Sequence, residues 1–411
     1  MKTKFIAIAA IAALCSFSAS AQDAAKPQIK WYGFVRNYFA FDTRESSAGT
    51  EDLFFNMPKD ENIVDGKDLN AIPSFRYAAL TSRLGVDVTG YEYNGYKIGA
   101  KIETDFYSGV SGVTGTATLR LRQAYATVAK DGRSWKIGQA WHPMAADLPD
   151  IFSLESGSPF GPFSRTPQVT ADFAMGEGLS LTASAIWQMQ YSSVGPDGAS
   201  ANYIKYGCTP ELYLGFNVKG ENTLTRLGVD VLSIKPRNYN ATKTDLVDDR
   251  ITTFNLFAYG QQNIGNVTLK EKVTYVNDGS HMKMVGGYGV SGINKDGSWE
   301  YSASRNVSAW ATIAIKKSKT WVPSMLLGYI KCFGTPDEIV GSFWANNSAN
   351  SIAQMYRIQP EVVYNMGKLA LGLEYMLTGV QYGKADKHML VSENLHWVAN
   401  NRIQMMVKYT F

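Results

Sequence analysis

The segment RIQMMVKYTF, residues 402–411, alternates between two kinds of side chain along its whole length. Successive side chains of a β-strand point to opposite faces, so the two sets separate in space. One face is apolar and consists of Ile403, Met405, Val407, Tyr409 and Phe411. The other face is mostly polar and consists of Arg402, Gln404, Met406, Lys408 and Thr410, with Met406 as an apolar exception. The segment therefore predicts a strand with one apolar and one polar face.

The same alternation recurs in GYKIGAKIETDFYS (95–108), PELYLGFNVKG (210–220) and KLALGLEYMLTG (368–379). Seven short turns rich in Gly, Asn, Asp and Lys alternate with eight mostly longer polar or Gly-rich stretches. The longer stretches are 44–74, 109–115, 143–166, 192–209, 237–249, 278–302, 334–350 and 381–392. This order predicts sixteen strands joined as hairpins. A hairpin at Asn400-Asn401 would give eighteen strands instead, and we favour sixteen.

Short turns at one end of the strands and long loops at the other are typical of outer-membrane barrels. Strands can cross a bilayer only in a closed barrel, because an open edge would leave backbone N–H and C=O groups unpaired in hydrocarbon. We therefore expect an all-β fold, a closed antiparallel transmembrane β-barrel with short periplasmic turns and long extracellular loops.

The first residues predict export. Residues 1–21 have a basic start at Lys2 and Lys4, a short apolar run and a small-residue ending, which indicates a cleaved signal peptide. Residues 22–411 are then expected to form a single barrel domain with 38 basic and 36 acidic side chains. This balance gives no reason to expect nucleic acid as a partner. Cys208 and Cys332 either form a disulfide or remain free thiols.

Several segments resemble one protein family. They are IKWYGFVRNYFAFDTR (29–44), LRLRQAYATV (119–128), WKIGQAWHP (135–143), TPQV (166–169) and NNRIQMMVKYTF (400–411). Together they resemble the DcaP-like porins, and a start at Gln22 after Ala19-Ser20-Ala21 resembles exported proteins of Bacteroidetes-type bacteria. The resemblance implies a sixteen-stranded, trimeric, passive channel of the outer membrane. Terminal Phe411, with Tyr409 before it, resembles the signal that the barrel-assembly machinery recognises.

The polar faces predict the lining of the channel, because a barrel of sixteen strands is wide enough to hold water. An arginine on the lipid face would cost about 2–4 kcal/mol at the bilayer midplane, so the lumen is the expected location of the charged side chains. The predicted pore-lining residues are Arg36, Arg83, Asp87, Arg120, Arg122, Arg357, Glu361 and Arg402. The alternative is that they are scattered charges near the membrane interfaces.

The third long stretch, 143–166, is punctuated by Pro and Gly and carries Asp147, Asp150 and Glu155. In general porins the corresponding loop commonly folds inward and narrows the channel. We expect it to do the same here and to set its carboxylates opposite Arg83, Arg120 and Arg122. Such an arrangement would produce a transverse field and a preference for anions.

Other patterns predict no catalytic residue, cofactor or metal site. His142, His281, His388 and His396 are dispersed and lack the spacing of a metal motif. Gly287, Gly289 and Gly292 match a dinucleotide fingerprint formally, but no βαβ unit surrounds them. Acidic residues of the first and fifth long stretches are expected to be solvated, with divalent cations at the lipopolysaccharide surface as the alternative; they are Glu51, Asp52, Asp60, Glu61, Asp65, Asp68, Asp245, Asp248 and Asp249.

The sequence therefore predicts an outer-membrane porin for passive diffusion of small hydrophilic solutes, with anionic preference. Its expected partners are outer-membrane lipid, lipopolysaccharide, the barrel-assembly machinery, the solutes and two further copies of the chain. One alternative is a substrate-specific channel. Another is a lipase or protease on a barrel, which would need a Ser/His or Asp/His cluster near the rim. An energised receptor is disfavoured because no plug domain precedes the first strand.

Overall fold

A computed structural model describes residues 26–47, 49, 53–108, 117–240, 242–346 and 350–411. The predicted signal peptide, Glu51 and Asp52 lie outside these residues. Sixteen barrel strands form one closed antiparallel sheet. They are β1 (Gln28–Asp42), β2 in two parts (Ser74–Ala78 and Arg83–Tyr93), β3 (Tyr96–Asp105), β4 (Arg120–Lys130), β5 (Arg133–Trp141), β6 (Arg165–Ala174), β7 (Leu179–Ile186), β8 (Glu211–Lys219), β9 (Thr223–Ile234), β10 (Ile251–Ile264), β11 (Val267–Asn277), β12 (Arg305–Ile315), β13 (Trp321–Cys332), β14 (Ile352–Met366), β15 (Leu369–Ala385) and β16 (Val391–Thr410).

The last strand closes the barrel on the first. In the antiparallel register of β1 and β16, Phe34 lies opposite Thr410 and Asp42 lies opposite Arg402. Residues 391–410 form one strand without a turn at Asn400-Asn401. The expectation of sixteen strands is confirmed, and the eighteen-strand alternative is wrong because the alternation continues unbroken through both asparagines.

Strand β2 is interrupted at residues 79–82, where side-chain groups replace part of the backbone ladder. The Ser82 hydroxyl accepts a hydrogen bond from the Arg36 backbone N–H at 3.0 Å. The Thr81 hydroxyl accepts one from the Arg36 Nε–H at 2.9 Å. The break therefore holds the Arg36 side chain at a fixed place on the barrel wall.

The two ends of the barrel differ as predicted. Two to five residues form each of the seven connections at one end, which we call the short-turn end. Seven longer loops and a short eighth, 386–390, occupy the long-loop end. We expected the eighth loop to span 381–392. It is shorter because β15 and β16 remain paired as far as Ala385 and Val391.

The long loops carry their own small elements. The first contains the pairs Ser46–Ser47 with Met57–Pro58 and Ile63–Val64 with Lys67–Asp68. The fourth contains a two-stranded pair, Val194–Gly195 with Gly198–Ala199, and the short helix α1 (Asn202–Gly207). The sixth contributes Gly286–Ile293 and Trp299–Ala303, which join Phe343–Asn346 of the seventh in a three-stranded sheet. Short 3₁₀ turns span Pro143–Ala145 and Ser280–Met282.

Side-chain exposure follows the alternation along the strands. On β8 the outward side chains Leu212, Leu214 and Phe216 are about half exposed, whereas inward Tyr213 is buried. The formal glycine fingerprint lies in the antiparallel loop strand Gly286–Ile293, and no helix follows it in the described chain, so its geometry does not fit a dinucleotide-binding turn. No helix among the described residues is long and apolar enough to span a membrane.

Met406, the apolar exception on the polar face of β16, also has a structural explanation. It is buried in an apolar cluster with Tyr38 of β1 and Leu154, and Phe152 packs against the same cluster. Phe152 and Leu154 belong to the third long loop, residues 142–164, which lies inside the barrel. Met406 therefore faces a protein segment within the lumen and does not face open water.

Candidate functional site

The third loop, residues 142–164, crosses the interior of the barrel and binds opposite walls. At its start, the Lys272 ammonium of β11 donates to the carbonyl of Met144 at 2.8 Å and to that of Asp147 at 3.2 Å. Further along, the Tyr38 hydroxyl of β1 donates to the Phe152 carbonyl at 2.7 Å. The loop therefore reaches from one side of the barrel to the closing seam on the other.

Other bonds hold the middle of the third loop. The Phe152 N–H donates to the Glu361 carboxylate of β14 at 3.0 Å, and the Ser308 hydroxyl of β12 donates to the Phe160 carbonyl at 2.7 Å. Gln359 of β14 donates to the Ser153 hydroxyl at 2.7 Å. These contacts bind buried polar groups of the loop to the wall, so leaving them unmade would cost about 1–3 kcal/mol each.

The loop carboxylates pair with a wall formed by β9, β11, β12 and β14. Asp147 lies 3.4 Å from Arg226, and Asp150 lies 2.7 Å from Lys270 and 3.3 Å from Lys316. Glu155 lies 3.7 Å from Arg357. We call these basic partners, together with Lys272, the tether wall.

The partners of the loop carboxylates thus differ from the expected ones, Arg83, Arg120 and Arg122. Those three arginines lie on other strands and pair with Glu103 and Asp105 of β3. The reason is the register: β3 lies between the strands that carry Arg83 and Arg120, so its polar face reaches them first.

Six cationic side chains gather on this second wall with two carboxylates. We call the set the basic wall: Arg36, Arg83, Arg120, Arg122, Arg165 and Lys408, with Glu103 and Asp105. Arg122 bridges both carboxylates, 2.8 Å from Glu103 and 3.0 Å from Asp105. Arg120 lies 2.7 Å from Asp105, and Arg83 lies 3.7 Å from Glu103.

The cations of the basic wall therefore exceed its carboxylates. No ion pair within the described residues joins Arg36 or Lys408 to a carboxylate. Arg36 instead lies over the rings of Phe34 and Tyr38. Buried Arg165 lies among Trp141, Phe163 and Tyr191, and donates to the Tyr191 hydroxyl at 2.6 Å. Aromatic faces compensate a cation only partly, so the wall keeps a positive field.

Two cavities lie on either side of the third loop. The cavity toward the short-turn end has a volume of about 510 Å³ and is lined by Arg36, Arg83, Arg122, Lys316 and Lys408, among others. The cavity toward the long-loop end has a volume of about 650 Å³ and includes Arg120 and Lys283. Leu154 and Phe163 line both cavities. These two side chains therefore lie between the two cavities.

The remaining predicted residues lie as follows. Asp87 pairs with Lys101 at 3.0 Å, close to the short-turn end. Buried Arg357 donates to the Thr378 hydroxyl at 3.0 Å and to carbonyls of the first and third loops. Glu361 lines the smaller cavity, and Tyr409 and Phe411 point outward, each about half exposed.

Arg402 lines neither of these two cavities. Its guanidinium forms a two-bond pair with Asp42 of the neighbouring strand, at 2.9 and 2.7 Å, and both side chains are buried. Asn400 donates to the same carboxylate at 2.6 Å. The pair therefore joins the first and last strands on the inner face of the barrel.

A second polar cluster lies at the long-loop end and was not expected from the sequence. The buried side chains of His142, Glu211, Asp230 and His281 bring their ligand-type atoms within 4.8 Å of one another. Glu211 lies 2.8 Å from His142 Nε2 and 3.1 Å from His281 Nε2. The two histidines are dispersed in the sequence, and only the packing of the third and sixth loops brings them together.

Within this cluster, the Glu211 carboxylate stabilises the protonated form of the His281 imidazole. Burial opposes the charged form of His281, but the charge of Glu211 and its hydrogen bond outweigh burial and raise the pKa of His281. No serine hydroxyl bonds to either of these histidines in the described part of the chain. His142 and His281 are also essentially inaccessible to solvent. The cluster therefore lacks the exposed nucleophile and base that a barrel hydrolase would need.

Comparison with known proteins gives a consistent result. Residues 13–153 match the family model described as DcaP outer membrane protein. No curated protein sequence matched the chain. The chain is similar to the crystal structure of the outer membrane channel DcaP of Acinetobacter baumannii, with 20% identity, a TM-score of 0.68, and coverage of 94% of this chain and 97% of that one.

Two further solved structures are similar at lower identity. The anion-selective porin from Comamonas acidovorans has 11% identity and a TM-score of 0.57, over 94% of this chain and all of that one. OmpT of Vibrio cholerae has 13% identity and a TM-score of 0.53, over 96% of this chain and all of that one. The structural likeness establishes the fold, a β-barrel of the porin type.

Proposed function

We propose that the chain is an outer-membrane porin that admits small hydrophilic solutes by passive diffusion and prefers anions. One observation carries the proposal: the third loop crosses the barrel beside a wall whose cations exceed its carboxylates. A solute passing between the two cavities must move past Leu154 and Phe163 and close to that wall.

The anion preference follows from how the charges are paired. On the tether wall the third loop supplies carboxylates and carbonyls to the cations. On the basic wall Arg36 and Lys408 pair with no carboxylate within the described residues, and Arg122 shares its two carboxylates with Arg83 and Arg120. A surplus of positive charge in a narrow, water-filled passage raises the local concentration of anions.

The test is conductance and ion selectivity of the purified barrel in a planar lipid bilayer. In a salt gradient the wild-type protein should give a reversal potential on the anion-selective side. Changing Arg83, Arg120 and Arg122 together to Ala should shift the reversal potential toward cations, because Glu103 and Asp105 then lose their partners.

Two control variants make this test specific. Changing Lys97, Lys130 and Arg133 to Ala removes the same number of positive charges beside the short turns and should leave selectivity nearly unchanged. Changing the three lumen arginines to Lys keeps the charge and should keep the anion preference. Zero conductance over a wide voltage range would overturn the channel, and unchanged selectivity of the Ala variant would overturn only the proposed filter.

We further propose that the protein is exported to the outer membrane and assembles there with two further copies of itself. Residues 1–21 direct export and are cleaved, Tyr409 and Phe411 are read by the barrel-assembly machinery, and the long loops face lipopolysaccharide outside the cell. The apolar outer face supports membrane insertion, and the protein assembles as a homotrimer in a Bacteroidetes-type bacterium. It has no reaction to catalyse. Intact-mass analysis of the exported chain and its migration before and after heating test the cleavage and the assembly.

A further inference from the structure

We propose that His281, Glu211 and Asp230 form a binding site for a divalent transition metal of the zinc type, with His142 as a supporting hydrogen-bond donor. The site fastens the sixth loop to the wall strands β8 and β9. It is separate from the proposed ion pathway, since none of the four side chains lines either of the two lumen cavities.

The donor set suits such a metal. Neutral imidazole and carboxylate are the ligands that Zn²⁺ binds outside thiolate sites. All three proposed ligands are buried, with exposures of 0% for Glu211 and Asp230 and 1% for His281. Two carboxylates buried beside each other are costly unless a proton or a cation compensates them. Glu211 is bonded to both histidines, whereas Asn255 approaches Asp230 only at 3.4 Å.

The distances fit a metal at the centre of the cluster. Zinc–ligand bonds of about 2.0–2.2 Å place the ligand atoms of a tetrahedral site roughly 3.4 Å apart. The Nε2 atom of His281 lies 3.1 Å from Glu211 Oε1 and 4.0 Å from Asp230 Oδ2. The first distance is to the carboxylate oxygen bonded to His142, and Oε2 of the same carboxylate is the proposed ligand. One ligand-type atom from each of the four side chains lies within 4.8 Å of the others. Small side-chain movements would therefore bring the three ligands to tetrahedral separations. A water molecule would complete the fourth position.

Unpartnered atoms provide a second and independent observation. Glu211 Oε2 and His281 Nδ1 are buried without a hydrogen-bond partner in the described structure. A buried polar atom without a partner costs about 1–3 kcal/mol. Metal binding would use Glu211 Oε2 directly, so this atom is the one that points to a ligand. His281 Nδ1 lies on the side of the ring away from the metal and does not count toward this observation.

His142 has a different role because its tautomer is constrained. Its Nδ1 atom accepts a hydrogen bond from the Met144 backbone N–H at 3.2 Å. A neutral His142 therefore carries its proton on Nε2, which faces Glu211 Oε1 at 2.8 Å. It can donate to that carboxylate but cannot also bind a metal through Nε2 without losing the proton. Hydrogen-bond donors of this kind orient a metal ligand from outside the coordination sphere.

The loop contacts indicate what the site would do. Ser280, beside His281, accepts a hydrogen bond from the Val194 N–H of the fourth loop at 3.2 Å. The Met282 carbonyl accepts one from the Phe163 N–H of the third loop at 2.8 Å. A metal bound to His281 would therefore restrain three loops at once, including the loop that narrows the passage.

The experiment measures metal content and thermal unfolding of the purified full barrel in detergent, with Zn²⁺ as the probe and Co²⁺ as a spectroscopic substitute. After incubation with Zn²⁺ and desalting, the wild type should retain one ion per chain and unfold at a higher temperature than the chelator-treated protein. Co²⁺ should give visible absorption bands of a low-coordinate nitrogen–oxygen site. His281→Gln, Glu211→Gln and Asp230→Asn, which preserve side-chain size, should each abolish retention.

The control variants separate this site from adventitious binding. His388→Gln alters a histidine of the eighth loop and should retain the metal. His142→Leu should weaken the affinity about 10–100-fold, while His142→Gln, which keeps an N–H donor, should restore most of it. Folding of each variant is checked by its shift in gel migration on heating. A wild type that retains no zinc, or a His281→Gln variant that retains as much as the wild type, would overturn the proposal.

Discussion

The two inner walls of the barrel carry the same kinds of side chain but obtain their partners from different places. On the tether wall, Lys270, Lys272 and Arg357 are bound by carboxylates and carbonyls of the third loop. On the basic wall, Arg120 and Arg122 are bound by carboxylates of the adjacent strand β3. One wall therefore depends on the loop for its neutrality, and the other does not.

Under the proposed function, this difference allows one loop both to narrow the channel and to leave it a transverse field. Binding to the tether wall uses up the loop carboxylates, so they are not available to the cations across the lumen. The basic wall keeps its surplus charge, and in the proposed channel the loop would bring passing solutes close to it. The tether wall therefore fixes the position of the third loop, and the basic wall would provide the charge that selects ions.

Removing the centre of the third loop should have the largest effect. A barrel with residues 148–156 deleted loses the narrow passage and the partners of Lys270 and Arg357. Its single-channel conductance should rise several-fold because the passage widens. Its anion preference should also change, because the cations of the tether wall lose their carboxylate partners. Deletion of residues 242–246, an exposed part of the fifth loop, is the control. Equal conductance of the two deletion variants would show that the third loop does not limit the channel.

A strand-to-strand pair should matter for stability and not for conductance. Arg402→Met leaves the Asp42 carboxylate buried without its partner, and should lower the free energy of unfolding by about 3–5 kcal/mol. The measurement is the temperature at which the folded form disappears on gels. Adding Asp42→Leu to Arg402→Met should recover much of the loss, because no uncompensated charge remains. A single variant as stable as the wild type would contradict the role assigned to the pair.

Neutralising one loop carboxylate should change selectivity moderately. Asp150→Asn removes the ion partner of both Lys270 and Lys316 while keeping the size of the side chain. The tether wall then gains positive charge, so the reversal potential should move further toward anions with little change in conductance. Asp245→Asn removes the same charge from the exposed fifth loop, and should behave as the wild type. An unchanged reversal potential would contradict a contribution of Lys270 and Lys316 to the field in the lumen.

The smallest effect is expected from one cation at the short-turn end. Lys408→Gln removes a charge that lines the smaller cavity near Arg36. Anion preference should fall slightly at low salt, and the difference should vanish at high salt because mobile ions screen an accessible charge. Lys368→Gln, at an exposed turn, is the matched control. A salt-independent change would indicate a structural role for Lys408.

The basic wall was predictable from the sequence where it depends on the alternation of side chains along the strands. Arg83, Arg120 and Arg122 were placed on the inner face because their neighbours at odd spacing are apolar. Glu103 and Asp105 lie on the same polar face of β3, so alternation alone is sufficient to place them beside these arginines. His142 and His281 had no such signal, since loop packing and not strand period brings them to Glu211.

The sequence by itself determined the barrel, its sixteen strands, its two unlike ends and the face on which each strand residue lies. These features depend on short-range rules, because the side chains of a strand alternate with period two and each hairpin needs its own turn. Only the tertiary structure decided which charges meet: Asp150 with Lys270, Arg402 with Asp42, and both histidines with Glu211. Such pairs join residues far apart in the chain, and their contacts depend on strand register and on the path of a loop through the lumen.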